Sequence, residues 1–322
     1  MKTRGILGGV VLLALVVAPA ATAQLPTPPP DRERARIKLE LSGVEGSRVD
    51  VGDRFKVVGK VFPFVSDQKV NVLLKHGRKV IQRRKVAIKR INGRDAGRFD
   101  LTSKRLIEPG AYRFRANKNE TTTQEGALAG SKGVGVHYPD LDPGDHNGEV
   151  RLFNELLADQ AYHTSSGSGY GSDTGRAVLA YRKVNGMSRT TNATPDIYKT
   201  LAAGKGGFKL KWPEGGKHVE ADLSRQVLVL ADKGKPQHIF HISSGAPATP
   251  TIRGKFPAYR KDYGANSVGM IHSVYFIRGY ATHGYHSVPT YPASHGCLRN
   301  PIPNSLFIYN WIDLGDVFYV YG

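Results

Sequence analysis

The stretch Tyr291-Pro292-Ala293-Ser294-His295-Gly296-Cys297-Leu298-Arg299-Asn300 contains the only cysteine among 322 residues. A lone cysteine is usually a small buried apolar residue with little reactivity. Here the flexible, polar pair His295-Gly296 precedes the thiol, and Thr282-His283-Gly284 supplies a second imidazole upstream. A cysteine with a nearby histidine is the minimum for nucleophilic acyl transfer, because the thiolate reacts and the imidazole takes its proton. The pattern therefore favours a catalytic thiol over a structural one.

Glycine beside the thiol lets the backbone approach a substrate carbonyl, so the amides of Gly296 and Cys297 are candidate oxyanion donors. His286 follows His283 by three residues and is the alternative base. The other histidines that compete for a role fall on predicted strands and are expected to be structural: His238, His241 and His272. No cluster of His, Asp or Glu has zinc-ligand spacing, so we expect chemistry without a metal or other cofactor.

These residues carry a family resemblance. Ser294-His295-Gly296-Cys297, preceded by His283-Gly284, resembles the signature of the L,D-transpeptidases of the YkuD type. The similarity covers about 207–322 and includes Ile242-Ser243-Ser244-Gly245 followed by Thr249-Pro250, Gly254 and Phe256. The 14 positions from His283 to Cys297 are few for this family, which predicts a tight connecting loop.

The resemblance implies a role for each residue of the signature. Cys297 would be the nucleophile and His283 the general base, oriented by the backbone carbonyl of Gly284. The amides of Gly296 and Cys297 would hold the oxyanion. Four further residues would shape the site or contact the substrate: Ser294, His295, Tyr280 and Arg299. Arg299 would bind a substrate carboxylate through two hydrogen bonds.

The implied reaction is a two-step acyl transfer in bacterial peptidoglycan. Cys297 would attack the carbonyl of the third residue of a tetrapeptide stem and release D-alanine. An amine of a neighbouring stem would then resolve the thioester and form a cross-link. Water as the acceptor would make the same site an L,D-carboxypeptidase. A non-catalytic wall-binding protein is the other alternative, whereas wall cysteine endopeptidases usually have the cysteine before the histidine.

The first 23 residues have the layout of a secretory signal peptide. Lys2 and Arg4 precede an apolar stretch over 6–17, and Ala21-Thr22-Ala23 offers a cleavage site. The apolar run is short for a membrane span. We therefore expect a cleaved signal, no stable membrane span after cleavage, and export to the cell wall or to the periplasmic or extracellular space of a bacterium.

The charge balance indicates the kind of partner. Lys and Arg number 46 against 27 Asp and Glu, a net charge of +19, which removal of Lys2 and Arg4 with the signal lowers to +17. Such a charge attracts anionic polymers. In an exported protein these are anionic cell-wall polymers, beside the peptidoglycan stem peptides, and not nucleic acid.

The composition predicts a multidomain, mainly β protein. Residues 24–34 form a Pro-rich linker. Hydrophobic and polar residues then alternate with a period of two over 35–140, which predicts an immunoglobulin-like β-sandwich. Its closing strand is expected after the turn Glu108-Pro109-Gly110. Helical spacing over 145–204 resembles a three-helix peptidoglycan-binding domain, with Ser172-Asp173-Thr174 expected to cap its second helix. Region 207–322 is predicted as a β-rich catalytic domain with a short helix near 304–312.

Within the predicted sandwich, the stretch from Lys75 to Arg90 is strongly basic. Two interpretations stay open at this point. It is either a binding surface for an anionic polymer or a solvated edge strand that Lys and Arg protect from aggregation.

Overall fold

A computed structural model describes residues 32–322. The predicted signal peptide (1–23) and most of the predicted linker lie outside the described residues. In the part of the chain that the structure describes, no helix combines the length and apolar character needed to span a membrane.

Residues 36–137 form two β-sheets that face a shared core. The strands are β1 (Arg36–Ser42), β2 (Arg48–Asp50), β3 (Lys56–Phe62), β4 (Lys69–His76), β5 (Lys79–Ala87), β6 (Lys89–Arg90), β7 (Gly97–Thr102), β8 (Gly110–Lys118), β9 (Ala127–Gly130) and β10 (Val134–His137). One sheet has the order β1-β3-β7-β6, and the other has β2-β10-β8-β4-β5 with β9 beside β8. The alternating residues Val70, Val72 and Leu74 are buried between them.

The mainly β character predicted for this region is confirmed, and its immunoglobulin-like assignment stays a prediction. One expectation is wrong: β8 does not close the sheet but lies in its interior, between β10 and β4. The two strands after it, β9 and β10, both pair with it.

Three helices follow: α1 (Gly148–Asp159), α2 (Ser172–Val184) and α3 (Pro195–Ala202). Asn147 caps α1, because its side-chain oxygen accepts a hydrogen bond from the Val150 amide at 3.0 Å. The expected cap of α2 is wrong, since the helix already begins at Ser172 and Gly171 is its N-cap residue without a side-chain bond. The Asp173 carboxylate instead accepts a hydrogen bond from the Ser165 amide at 3.1 Å.

The C-terminal region has two more sheets. Its elements are β11 (His218–Asp222), β12 (Val227–Asp232), β13 (Lys235–His241), β14 (Gly254–Pro257), β15 (Arg260–Ala265), β16 (Ile271–Ile277), β17 (Tyr280–Tyr285), β18 (Leu298–Pro301), α4 (Ile302–Trp311) and β19 (Val317–Tyr321). The sheet orders are β13-β12-β11-β19-β14 and β15-β16-β17-β18. The predicted β-rich character of this region and its short helix near 304–312 are confirmed.

Two hydrophobic cores hold these parts together. Phe276, Leu298 and Phe318 belong to a core inside the C-terminal region. The other core continues from the N-terminal sheets through the helices to Val229 and Ile239 of β12 and β13. The helices are therefore packed against the C-terminal region, and the domain boundaries at 140, 145 and 204–207 stay a prediction.

A buried carboxyl lies where the N-terminal sheets meet α1. Glu149 is only 6 % exposed, and its Oε2 has no hydrogen-bond partner among the described residues. Burial and the nearby Asp53 carboxylate raise the pKa of Glu149 to about 7. Such a group stabilises the fold below its ordinary pKa of 4.5, and that contribution is lost as the pH rises through about 7.

We expect Glu149→Gln to raise the Tm at pH 8 by about 1–2 °C, the shift that accompanies about 1 kcal/mol in a chain of this size. The amide removes the buried charge, so the gain should shrink towards pH 5, where the wild-type carboxyl is protonated. Thermal unfolding at both pH values measures the effect. Glu214→Gln, at an exposed carboxyl with no ion pair among the described residues, is the control. An equal gain at both pH values would contradict the argument.

Candidate active site

The pairing of β17 with β18 brings the candidate histidine and cysteine to one face of a sheet. The two strands run parallel, with Thr282 beside Leu298 and His283 beside Arg299. Thr282 and Asn300 lie on the opposite face, where the Asn300 amide donates to the Thr282 hydroxyl at 3.2 Å. Cys297 directly precedes β18 and is two positions from Arg299, and the alternation of that strand predicts its side chain on the face of His283.

The His283 imidazole is buried and held by a backbone carbonyl. Its Nδ1 lies 2.9 Å from the carbonyl oxygen of Gly284. A carbonyl only accepts hydrogen bonds, so Nδ1 carries the proton and Nε2 of the neutral ring is a free acceptor. Burial lowers the pKa of His283 and the Arg299 charge lowers it further, while the Gly284 carbonyl acts in the opposite direction. The ring is therefore neutral at pH 7 and able to take a proton.

The Cys297 thiol is half-buried, and its Sγ lies 3.6 Å from the carbonyl oxygen of Gly279. Burial raises the pKa of this thiol, and the Ala281 amide and the Arg299 charge offset part of the rise. The resting pair is consequently a neutral thiol and a neutral imidazole. A thiol in this state needs a base to form the reactive thiolate.

Ser294 holds the short turn that carries the cysteine. Its hydroxyl donates to the Cys297 carbonyl at 2.6 Å and accepts from the Gly296 amide at 3.1 Å. The Gly296 amide, which the sequence pointed to as an oxyanion donor, is therefore already bonded. Of the two expected donors, the Cys297 amide is the one that remains.

The segment from Ser243 to Thr251 frames this turn from the other side. The Thr251 hydroxyl donates to the Gly296 carbonyl at 2.8 Å and accepts from the Gly245 amide at 2.9 Å. The Thr249 hydroxyl donates to the Ser294 carbonyl at 2.9 Å. The family resemblance included Gly245 and Thr249 without giving them a place in the site, and sequence reasoning missed Thr251. Their role depends on contacts between residues 45 positions apart.

Ser243 also connects the two C-terminal sheets. Its backbone N–H and C=O exchange hydrogen bonds with the backbone of Arg299, each at 2.9 Å. Strand β18 is thus held between β17 on one edge and Ser243 on the other. This double pairing keeps the turn before β18 in one position.

Glycine is required at position 296 for two reasons. Its φ is +111°, a conformation that other residues rarely adopt. A Cβ there would also lie 2.3 Å from a ring carbon of Tyr280. The half-buried Tyr280 thus packs directly on the turn that carries Cys297.

Arg299 and an aromatic neighbour complete this face. The Arg299 guanidinium lies 4.2 Å from the centre of the Tyr285 ring, and that ring stands perpendicular to His283 at 5.7 Å. Sequence reasoning missed Tyr285, although its position two residues after His283 on a strand was the available signal. His295 is exposed, and so is His286, which follows the end of β17. Among residues 32–322 no three His, Cys, Asp or Glu side chains are grouped as metal ligands.

Comparisons with known proteins identify the family of the C-terminal region. The family model of the YkuD L,D-transpeptidase catalytic domain matches residues 216–320. The crystal structure of an L,D-transpeptidase (residues 123–326) from Xylanimonas cellulosilytica is 31 % identical, with 57 % of this chain and 98 % of that chain covered at a TM-score of 0.53. The chain belongs to the L,D-transpeptidase family. The family resemblance read from the sequence is confirmed for this catalytic domain.

Other L,D-transpeptidase structures match less closely. One from Stackebrandtia nassauensis is 20 % identical over 56 % of this chain and 95 % of its own, with a TM-score of 0.35. One from Mycobacterium smegmatis is 11 % identical over 89 % of this chain and 100 % of its own, with a TM-score of 0.31. A comparison with curated proteins found no match. The likeness of region 145–204 to a peptidoglycan-binding domain stays a prediction.

We expect Gly296→Ala to lower the free energy of unfolding by about 1–3 kcal/mol, the cost of a strained backbone conformation. The new methyl group would also push Tyr280 away from the turn. Denaturant unfolding measures the loss. Gly279→Ala is the matched control, because its methyl group meets nothing within 4 Å and its φ is not in the left-handed region. A loss of the same size in both variants would contradict this account of the turn.

Proposed function

We propose that this protein is an exported enzyme that cross-links bacterial peptidoglycan by L,D-transpeptidation, with Cys297 as nucleophile and His283 as general base. The observation that supports this most directly is the β17–β18 pairing, with the His283 ring held through Nδ1 by the Gly284 carbonyl. That bond leaves Nε2 free to accept the thiol proton on the face that Cys297 shares.

In the first step Nε2 of His283 takes the proton from Sγ as the sulfur attacks the carbonyl carbon of the third stem residue. The carbonyl oxygen becomes an oxyanion, for which the Cys297 amide is the proposed donor. The C–N bond to the terminal D-alanine then breaks. His283 returns its proton to the leaving amine, and the stem is left as a thioester on Cys297.

In the second step the side-chain amine of another stem attacks the thioester carbon and loses a proton to His283. The C–S bond breaks, the thiol regains its proton, and a new amide joins the third residues of two stems. Water in place of the amine gives the L,D-carboxypeptidase reaction at the same site. A muropeptide assay that separates dimers from shortened monomers distinguishes the two outcomes.

Arg299 is the proposed contact for a substrate carboxylate. Its guanidinium is stacked on Tyr285 and is close enough to lower the pKa of both His283 and Cys297. A positive charge in this place attracts the carboxylate of a stem and can bind it through two parallel hydrogen bonds. Tyr280, packed on the turn, and the exposed His295 are the other proposed substrate contacts.

Peptidoglycan stems and anionic wall polymers are the proposed partners, in keeping with the basic charge and the predicted signal peptide. In region 145–204, three residues of helix α1 have a structural role. Phe153 and Leu157 are buried, and Asn154 bonds the Gly167 carbonyl and the Thr174 hydroxyl, both at 2.9 Å. These core contacts support a likeness in fold, and glycan binding by this region stays a prediction.

Intact-protein mass spectrometry with a carbapenem tests the nucleophile. A β-lactam of this class imitates the acylated stem, so the wild type should gain the mass of one molecule and Cys297→Ala none. His283→Gln should acylate about 10²–10⁴-fold more slowly, the usual contribution of a general base. A folded, reduced wild type that forms no adduct would support the non-catalytic wall-binding alternative.

The pH dependence of this acylation tests the base. Burial lowers the pKa of His283 from its ordinary value of 6.5, so the rate should fall on acidification with a midpoint below 6.5. Arg299→Gln removes a charge that lowers this pKa, and its midpoint should move up towards 6.5. His283→Gln should lose this acid limb. A wild-type midpoint above 7 would contradict the assignment.

A further inference from the structure

The outer face of the second N-terminal sheet carries a dense group of positive charges. In three adjacent strands, β5, β4 and β8, the inward residues alternate with outward ones. The pairing puts Leu73 beside both Arg83 and Arg115, and puts Lys75 beside Arg113. We call the resulting set of outward Lys and Arg side chains the cationic face: Lys69, Lys75, Arg83, Lys85, Arg113 and Arg115.

No acidic residue interrupts the cationic face. The other outward positions of these strands include Asn71, Leu73 and Asn117, and none of them is acidic. None of the six cationic side chains forms an ion pair with the part of the chain that the structure describes. The face therefore has no internal counter-charge among residues 32–322.

Protection of a sheet edge does not explain these charges. Strand β5 is the edge of its sheet, and only Arg83 and Lys85 belong to it. The other four lie on β4 and β8, which have neighbouring strands on both sides. A strand with two partners has no free backbone edge to protect. The edge-strand interpretation of the stretch from Lys75 to Arg90 thus explains only the two charges on β5 and not the four on β4 and β8.

The charges also have a cost in the free protein. Like charges beside each other on neighbouring strands destabilise a sheet. Here Lys75 neighbours Arg113, and Arg83 and Arg115 flank the same residue, Leu73. An external polyanion would remove this repulsion and release its own counter-ions on binding.

We propose that the cationic face binds a linear, phosphate-bearing polymer of the cell wall. The wall location rests on the proposed function. Three of the six side chains are arginines, whose planar guanidinium groups match the geometry of phosphate oxygens. The face has no aromatic side chain, the type that anchors proteins at a lipid surface. The charges are spread both along the strands and across them. An extended polymer can contact all three strands at once, which fits this arrangement.

The test compares two triple variants of the mature chain in binding to synthetic poly(glycerol phosphate). One variant is Arg83→Gln/Arg113→Gln/Arg115→Gln. The control, Arg36→Gln/Arg94→Gln/Arg98→Gln, removes the same net charge from exposed positions on or next to the other sheet, none with an ion pair among the described residues. Titrations at about 50 and about 200 mM salt give the affinity and its salt dependence.

The face variant should bind at least about tenfold more weakly than the wild type, and its slope of log affinity against log salt should be shallower by about two to three. The control should stay within about threefold of the wild type. The Tm of the face variant should not fall, since it loses only like-charge repulsion.

Three results would overturn the proposal. An equal loss of polymer affinity in both triple variants would show that binding depends only on the net charge of the protein. Equal wild-type affinity for polygalacturonate, a carboxylate polymer, would remove the phosphate preference. Binding to anionic phospholipid vesicles but not to the polymer would make the face a membrane contact.

Carbapenem acylation separates this proposal from the proposed function. The face variant should be acylated at the wild-type rate, because its three positions lie far along the chain from Cys297 and on another sheet. Polymer binding by the Cys297→Ala variant should equal that of the wild type. Polymer binding without acylation would contradict the proposed enzyme activity and support polymer binding by the cationic face. Acylation without polymer binding would support the enzyme activity and contradict the role of the cationic face.

Discussion

The site depends on one parallel strand pair that lacks the usual connection. Parallel neighbours are normally joined by a crossover of a dozen or more residues, most often a helix. Here the chain goes from Tyr285 to Leu298 through residues 286–297 without a helix. Hydrogen bonds from the hydroxyl groups of Ser243, Thr249 and Thr251 take the place of a packed helix and hold the connection in position. The turn that carries Cys297 is rigid because a distant segment supports it.

Burial has opposite effects on the two groups of the proposed catalytic pair. It lowers the pKa of His283 and raises that of Cys297, so both are neutral at pH 7. A thiolate–imidazolium pair would require the site to stabilise two charges in a buried place. A neutral pair avoids this cost and forms the thiolate only as a substrate carbonyl arrives. Arg299 reduces the rise in the thiol pKa and keeps the ring a weak base.

The N-terminal sheets use the same alternation for two purposes. Val70, Val72 and Leu74 of β4 point into a core that is closed to water. Lys69 and Lys75, at outward positions of the same strand, form the cationic face with residues of β5 and β8. One strand thus contributes both to the stability of the sheet and to a surface whose charge has no partner among the described residues. That separation of roles follows from the two-residue period of a strand.

Residue type and local spacing determined a large part of this protein. The pairing of His283-Gly284 with Ser294-His295-Gly296-Cys297 identified the family, because acyl transfer by a thiol needs these groups close together. Period-two alternation predicted the strands of 35–140 and helical spacing predicted the helices of 145–204, since both patterns depend on neighbours within a few positions. The wrong prediction of the α2 cap marks the limit of such reasoning, because the Asp173 carboxylate accepts a hydrogen bond from the Ser165 amide in a preceding loop.

Only the tertiary structure decided how the site is supported and which donors are free. Ser294 occupies the Gly296 amide, Thr251 reaches that turn from 45 residues away, and Arg299 is stacked on Tyr285. The cationic face likewise joins residues from Lys69 to Arg115. Strand register determines these contacts, and register is set by the packing of whole sheets. A sequence pattern limited to neighbouring residues does not contain that information, because a shift of one residue would turn every side chain to the other face.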